Sequence, residues 1–81
     1  MEISQAFGIV LRKHRKAASL SQEQLALQCE LDRTYIGMLE RAERQPSLNT
    51  IFTICTVLKL QPSVFIQEVE LIIKKNSKQL E

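Results

Sequence analysis

Residues 21–44, SQEQLALQCELDRTYIGMLERAER, decide the fold of this 81-residue chain. Ser21 with Gln24 three positions later has the spacing of a capping box. In that device a hydroxyl accepts from a free first-turn N–H while the amide reaches back to the cap. A helix over roughly 22–29 follows, with Leu25, Ala26 and Cys29 on its inward side and Ala26 small where another helix must approach. Glu30 and Leu31 form a turn, and Asp32 is placed to cap a second helix over about 33–41. Ile36 and Leu39 of that helix face a core, whereas Arg33, Thr34, Gly37 and Met38 point away from it. A short helix anchored by an apolar stripe, with Arg33, Thr34 and Tyr35 in its first turn, fits the DNA major groove.

On the N-terminal side, Phe7, Val10, Leu11 and His14 recur at three- and four-residue spacing and predict an amphipathic helix over roughly 4–18. His14 falls on its apolar side and reads as a half-buried packing residue. On the C-terminal side, residues 41–45 form a charged exit loop that Pro46 stops. Ser47 caps a fourth helix over about 48–59 with the stripe Leu48, Ile51, Phe52, Cys55 and Leu58. Pro62 suits the first turn of a fifth helix, over about 62–76. Val64, Phe65, Ile66, Val69, Leu71, Ile72 and Ile73 make this last helix apolar on more than one side, and a terminal helix should bury only one stripe. The surplus predicts a second copy as partner, with Val64, Phe65, Val69 and Ile72 at the dimer interface. The tail, residues 77–81, is expected to fray.

Composition agrees with a single all-α domain over residues 1–81. Apolar residues make up 44% and charged residues 25%, ordinary for a globular chain, and two Gly and two Pro are few for a turn-rich β fold. So small a core is marginal alone and gains from oligomerisation. The net charge of +2 leans weakly towards anionic partners. Its two clusters, Arg12, Lys13, Arg15 and Lys16, and Lys74, Lys75 and Lys78, suit either a solvated face or an anion contact. Two distant cysteines and one histidine match no metal-ligand spacing, so no metal or cofactor is expected, and Cys29 and Cys55 read as small buried hydrophobes. Without a Gly-rich phosphate loop or a Ser/His/Asp set, nothing suggests an enzyme. No stretch approaches the ~20 apolar residues of a membrane span, and the N-terminus lacks the basic opening and apolar run of a secretory signal. A cytoplasmic location and no membrane partner are therefore expected.

The segments LSQEQLA and LDRTYIGMLERAERQPSL resemble the lambda-repressor-like, or Cro/Xre-type, helix-turn-helix family, from Phe7 to about Val64. LDRTYI followed by LERAERQPS is most similar to the small controller proteins of restriction–modification systems. The resemblance implies a five-helix DNA-binding domain with helices two and three as the helix-turn-helix. It implies base reading by Arg33, Thr34, Tyr35 and Met38, phosphate contacts by Gln22, Arg44 and Gln45, and a core ion pair between Arg15 and Glu40. It also implies homodimers on a double-stranded DNA operator, which act by occluding or recruiting RNA polymerase. Antitoxins, phage-type repressors and protein-interaction modules with the same fold are the alternatives. Three positions depart from the family pattern. Glu30 and Ala42 stand where glycine is usual, and Gly37 stands where serine is common. The position of Glu30 commonly needs a left-handed backbone, which Glu adopts only at a cost.

Overall fold

The computed structural model describes residues 1–78, with side chains through Asn76. Among the described residues there are five helices and no strand: α1 (Ile3–Ala17), α2 (Gln22–Gln28), α3 (Tyr35–Glu40), α4 (Leu48–Val57) and α5 (Pro62–Lys78). The caps explain most of these limits. Ser21 Oγ accepts from Gln24 N at 3.0 Å and Gln24 Oε1 accepts from Ser21 N at 2.8 Å, so the capping box forms. Ser47 Oγ accepts from Thr50 N at 3.1 Å and opens α4. Helix α1 begins one residue earlier than its periodicity predicts, because Gln5 Oε1 accepts from Glu2 N at 3.0 Å. Helix α5 runs two residues past its expected end, and the rest of the expected tail, residues 79–81, lies outside the described residues.

The first four helices all end through a left-handed residue, and none of the four is glycine. Ser19, Glu30, Ala42 and Lys59 have φ of 60°, 57°, 60° and 59°. After each, the next residue's N–H reaches back five positions: Leu20 to Arg15 O, Leu31 to Ala26 O, Glu43 to Met38 O and Leu60 to Cys55 O. This is the Schellman arrangement, which satisfies carbonyls that the helix leaves open. A left-handed L-residue costs roughly 1–2 kcal/mol. At three of the four turns a leucine follows (Leu20, Leu31, Leu60) and packs against the core, which offsets the strain.

Helix α3 is shorter than predicted. Asp32 does not cap a helix at Arg33; its Oδ1 accepts from Thr34 N at 2.9 Å and from Thr34 Oγ1 at 2.7 Å, closing an Asx turn. Tyr35 N then bonds to Asp32 O, so residues 33 and 34 form a separate tight turn and the α-helical ladder starts at Tyr35. Gly37, expected to point away from the core, is buried.

One core joins all five helices. Phe7, Val10 and Leu11 of α1 meet Leu25 and Ala26 of α2, Ile36 and Leu39 of α3, Ile54 and Cys55 of α4, and Phe65 and Val69 of α5. The Phe7 and Phe65 rings lie 5.1 Å apart, tilted by 51°, a favourable aromatic geometry. Cys29 and Cys55 are both buried, and burial pushes both thiols up. His14 is half-buried over the Phe65 ring, at 5.9 Å, with Nε2 3.0 Å from Glu68 Oε2. Lys13 Nζ donates to the other oxygen of Glu68 at 2.8 Å, so this carboxylate ties α1 to α5.

Two apolar stripes are rotated from their expected settings. In α4 the inward residues are Ile54 and Cys55 with Ile51 and Leu58 beside them, whereas Leu48 and Phe52 are 74% and 56% exposed. In α5, Phe65 and Val69 belong to the protomer's own core and are not free for a partner. Ile72 is half-buried against that core, and Val64 is exposed. The reason is common to both helices: each carries an apolar arc wider than one packing face, and the core takes only the part turned towards its neighbours, α2 and α5 for α4, and α1 and α4 for α5. The remainder forms an outer surface. There Leu48, Phe52, Ile66, Ile73 and the N-terminal Ile3 line two adjoining grooves, of about 420 and 470 Å³, that meet at Ile66 and Glu70.

Candidate nucleic-acid interface

Helix α3 has one side fixed and one side free. Ile36 and Leu39 anchor the fixed side in the core. Gly8 of α1 lets the end of α3 approach closely: a Cβ there would sit 2.6 Å from Glu40 O and 2.8 Å from Leu39 O. Next to that contact lies a buried ion pair. Arg15 donates from Nε to Glu40 Oε2 at 2.6 Å and from Nη2 to Oε1 at 3.1 Å, and Nη1 donates to Leu20 O at 2.8 Å. Gln22 Nε2 adds a bond to Glu40 Oε1 at 3.0 Å. A single carboxylate thus links α1, α2 and α3, and sets the angle at which α3 leaves the body. The bidentate fork is the geometry that suits a guanidinium to a carboxylate, and it leaves neither charge unpaired.

The free side carries the residues expected to read bases. Arg33 and Thr34 are exposed in the Asx turn that opens α3. Thr34 has its hydroxyl hydrogen committed to Asp32, which leaves its oxygen lone pairs and methyl group facing outward. The two bonds from Thr34, the side-chain one first, hold the Asp32 carboxyl below its ordinary range. Tyr35 and Met38 are half-buried, Tyr35 with part of its ring against the core. Of the three expected phosphate contacts, Arg44 and Gln45 are exposed in the loop after α3. Gln22 is half-buried, and its bond to Glu40 leaves one amide hydrogen and Oε1 available beside Gly37.

Sequence reasoning missed Arg41 and Glu43. Arg41 Nε and Nη2 donate to the two oxygens of Glu43 at 2.8 and 3.3 Å, and the guanidinium extends over Gly37. The signal was present: a glycine one turn before an arginine leaves a gap that the longer side chain fills.

The helix-turn-helix family pattern matches residues 11–65, which span α2, α3 and α4 in full. The chain belongs to the Cro/Xre-type helix-turn-helix family. It is similar to the control protein C.BamHI of Bacillus amyloliquefaciens, at 46% identity over 57 residues, 69% of this chain and 70% of that one. It is similar to the control protein C.MunI of a Mycoplasma species, at 37% identity over 70 residues, 85% of this chain and 95% of that one. The crystal structure of the restriction–modification controller protein C.AhdI from Aeromonas hydrophila superposes with a TM-score of 0.72 at 41% identity, covering 82% of this chain and 94% of that one. Family membership makes α2 and α3 the helix-turn-helix. No single helix among the described residues is long and apolar enough to cross a membrane.

Proposed function

We propose that this chain is the controller of a restriction–modification system: a transcription regulator that binds a pseudo-palindromic DNA operator as a homodimer. The observation that carries the reading is the two-sidedness of α3, with a charged exposed opening turn on a helix locked from behind by the Arg15–Glu40 pair. The controller proteins among its relatives support the assignment to that class. Arg33 gives guanine two parallel hydrogen bonds at O6 and N7, worth about 1–3 kcal/mol of discrimination. Thr34 meets a base edge or a thymine methyl, and Tyr35 and Met38 extend the contact along α3. Gln22, Arg44 and Gln45 hold the flanking phosphates, which set affinity and its salt dependence.

The second copy docks on the outer face of α4 and α5. Leu48, Phe52 and Ile66 with Ile3 replace Phe65 and Val69 as its contacts, since only the former group is exposed. The whole chain then works as one domain, 1–81, with residues 62–76 serving both core and dimer. The operator's position relative to a promoter decides whether RNA polymerase is occluded or recruited, and a DNA-binding role agrees with the expected cytoplasmic location. Selection of bound duplexes from a random pool tests the reading. The expected product is a symmetric sequence with half-sites about 10 bp apart, or a multiple of that. The Arg33→Ala chain should lose preference at one position per half-site. A pool that enriches no symmetric sequence overturns the proposal.

A further inference from the structure

Gly37 lies in the middle of α3 and is buried, yet what covers it is polar. A Cβ at this position would be 2.9 Å from Arg41 Nη1 and 3.0 Å from Gln22 Oε1. Arg41 is the C-cap residue of α3. Its guanidinium therefore turns back along the helix and lies over Gly37 instead of extending from the exit loop. A side chain at position 37 would take that seat. Glu43 holds the guanidinium there through Nε and Nη2, while Nη1 lies over Gly37.

This pair differs from Arg15–Glu40 in one decisive respect. Both of its side chains are more than half exposed, at 56% and 52%. An ion pair in water is weak and exchanges easily. A phosphodiester presents two acceptor oxygens to a guanidinium much as a carboxylate does. Exchange of Glu43 for a phosphate requires movement of one exposed glutamate side chain, with the backbone and Arg41 left in place.

We propose that Arg41 is a further DNA-phosphate ligand, kept occupied by Glu43 in the free protein, and that a bound duplex displaces the carboxylate. The proposal rests on the DNA-binding reading. It makes Glu43 an internal competitor that lowers affinity for every duplex alike, because phosphate contacts carry no sequence information. It also gives Gly37 a purpose, since its missing side chain leaves room for the arginine.

Fluorescence anisotropy with the full chain tests this, using a labelled duplex of the selected operator and a scrambled duplex of equal length over a salt series. Glu43→Gln should tighten both complexes about two- to fivefold, the range of an exposed ion pair. The ratio of operator to scrambled affinity should stay fixed. Arg41→Gln should weaken both and flatten the plot of log affinity against log salt by about one unit. In the Arg41→Gln background, Glu43→Gln should have no further effect. Circular dichroism checks that each variant is folded, which two exposed positions permit. Unchanged affinity for Glu43→Gln, or the same gain in both backgrounds, overturns the proposal. A wild-type chain that binds neither duplex refutes the DNA-binding reading and takes this proposal with it. That outcome is distinct from a chain that binds DNA and ignores both substitutions.

Discussion

Glu40→Gln is the most direct test of how α3 is held. The substitution keeps the shape of the side chain and removes its charge. Arg15 is 8% exposed and its guanidinium makes three hydrogen bonds, two of them to Glu40. After the change, Arg15 Nε faces an amide that can accept with one atom only, and the buried positive charge has no counter-charge within the same contact. Removing one member of a buried pair typically costs about 3–5 kcal/mol. The lower end applies here, because the amide oxygen keeps one bond and Leu20 O keeps another. A domain of this size has on the order of 4–12 kcal/mol of stability in total, so about 3 kcal/mol is a large share. Urea unfolding followed by far-UV circular dichroism, at one fixed protein concentration, measures it from the shift in midpoint at constant slope. The melting temperature should fall by more than about 12 °C. The double variant Arg15→Met/Glu40→Leu should recover most of the loss, since an apolar pair of similar volume is often no worse than a buried ion pair. A loss below about 1 kcal/mol for Glu40→Gln, the value of an exposed pair, would refute the reasoning.

Four further expectations concern other parts of the fold. Ala42→Gly should raise stability by about 0.5–1 kcal/mol by relieving a left-handed alanine, and a lower urea midpoint would contradict the backbone assignment. Gly8→Ala should destabilise by about 1–3 kcal/mol because its Cβ meets main-chain oxygens, whereas Gly37→Ala should fold normally because it meets only the flexible ends of Arg41 and Gln22. Hydrogen bonding from Lys13, then the bond and charge of His14, hold the Glu68 carboxyl below its ordinary range. Its stabilising effect is therefore full above the unfolded carboxylate pKa and disappears as pH falls through the lower folded value. The stability difference between wild type and Glu68→Gln should shrink over that acid window, and a constant difference would contradict it. Ile66→Asp should yield folded monomers by light scattering, while Phe65→Asp should fail to fold; a dimer that survives Ile66→Asp moves the interface elsewhere.

The parts of the fold written in local chemistry were legible. The Ser21–Gln24 box and the Ser47 cap are short-range patterns whose partners lie three residues away, and they formed where the spacing put them. The turn after α2 was legible only through the family pattern: Glu30 stands where glycine is usual, and its φ of 57° is the left-handed backbone expected there, a backbone that Ala42, at another usual glycine position, adopts too, at 60°. Asp32 was read as a helix cap when it closes an Asx turn, and both uses begin with the same side chain accepting from a nearby N–H. The least legible feature was rotation. Periodicity shows that α4 and α5 have apolar arcs, but not which sector of a wide arc meets the neighbouring helices. Hence Leu48 and Phe52 were placed inside and Phe65 and Val69 outside. Gly37 was placed on the outer side and Arg41 in the exit loop; the spacing of one helical turn between them was visible, but it becomes a contact only once the arginine has folded back along its own helix.

The close seat of Gly8 against the end of α3 and the three-helix bond at Glu40 oppose any tilt of α3 against the body of the domain. A rigid reader moves the burden of fit to its partner. In the proposed homodimer, any mismatch between the spacing of its two α3 helices and the pitch of a relaxed duplex would be taken up by bending or twisting the DNA. Base steps that deform cheaply, including steps no side chain touches, become part of what the protein selects.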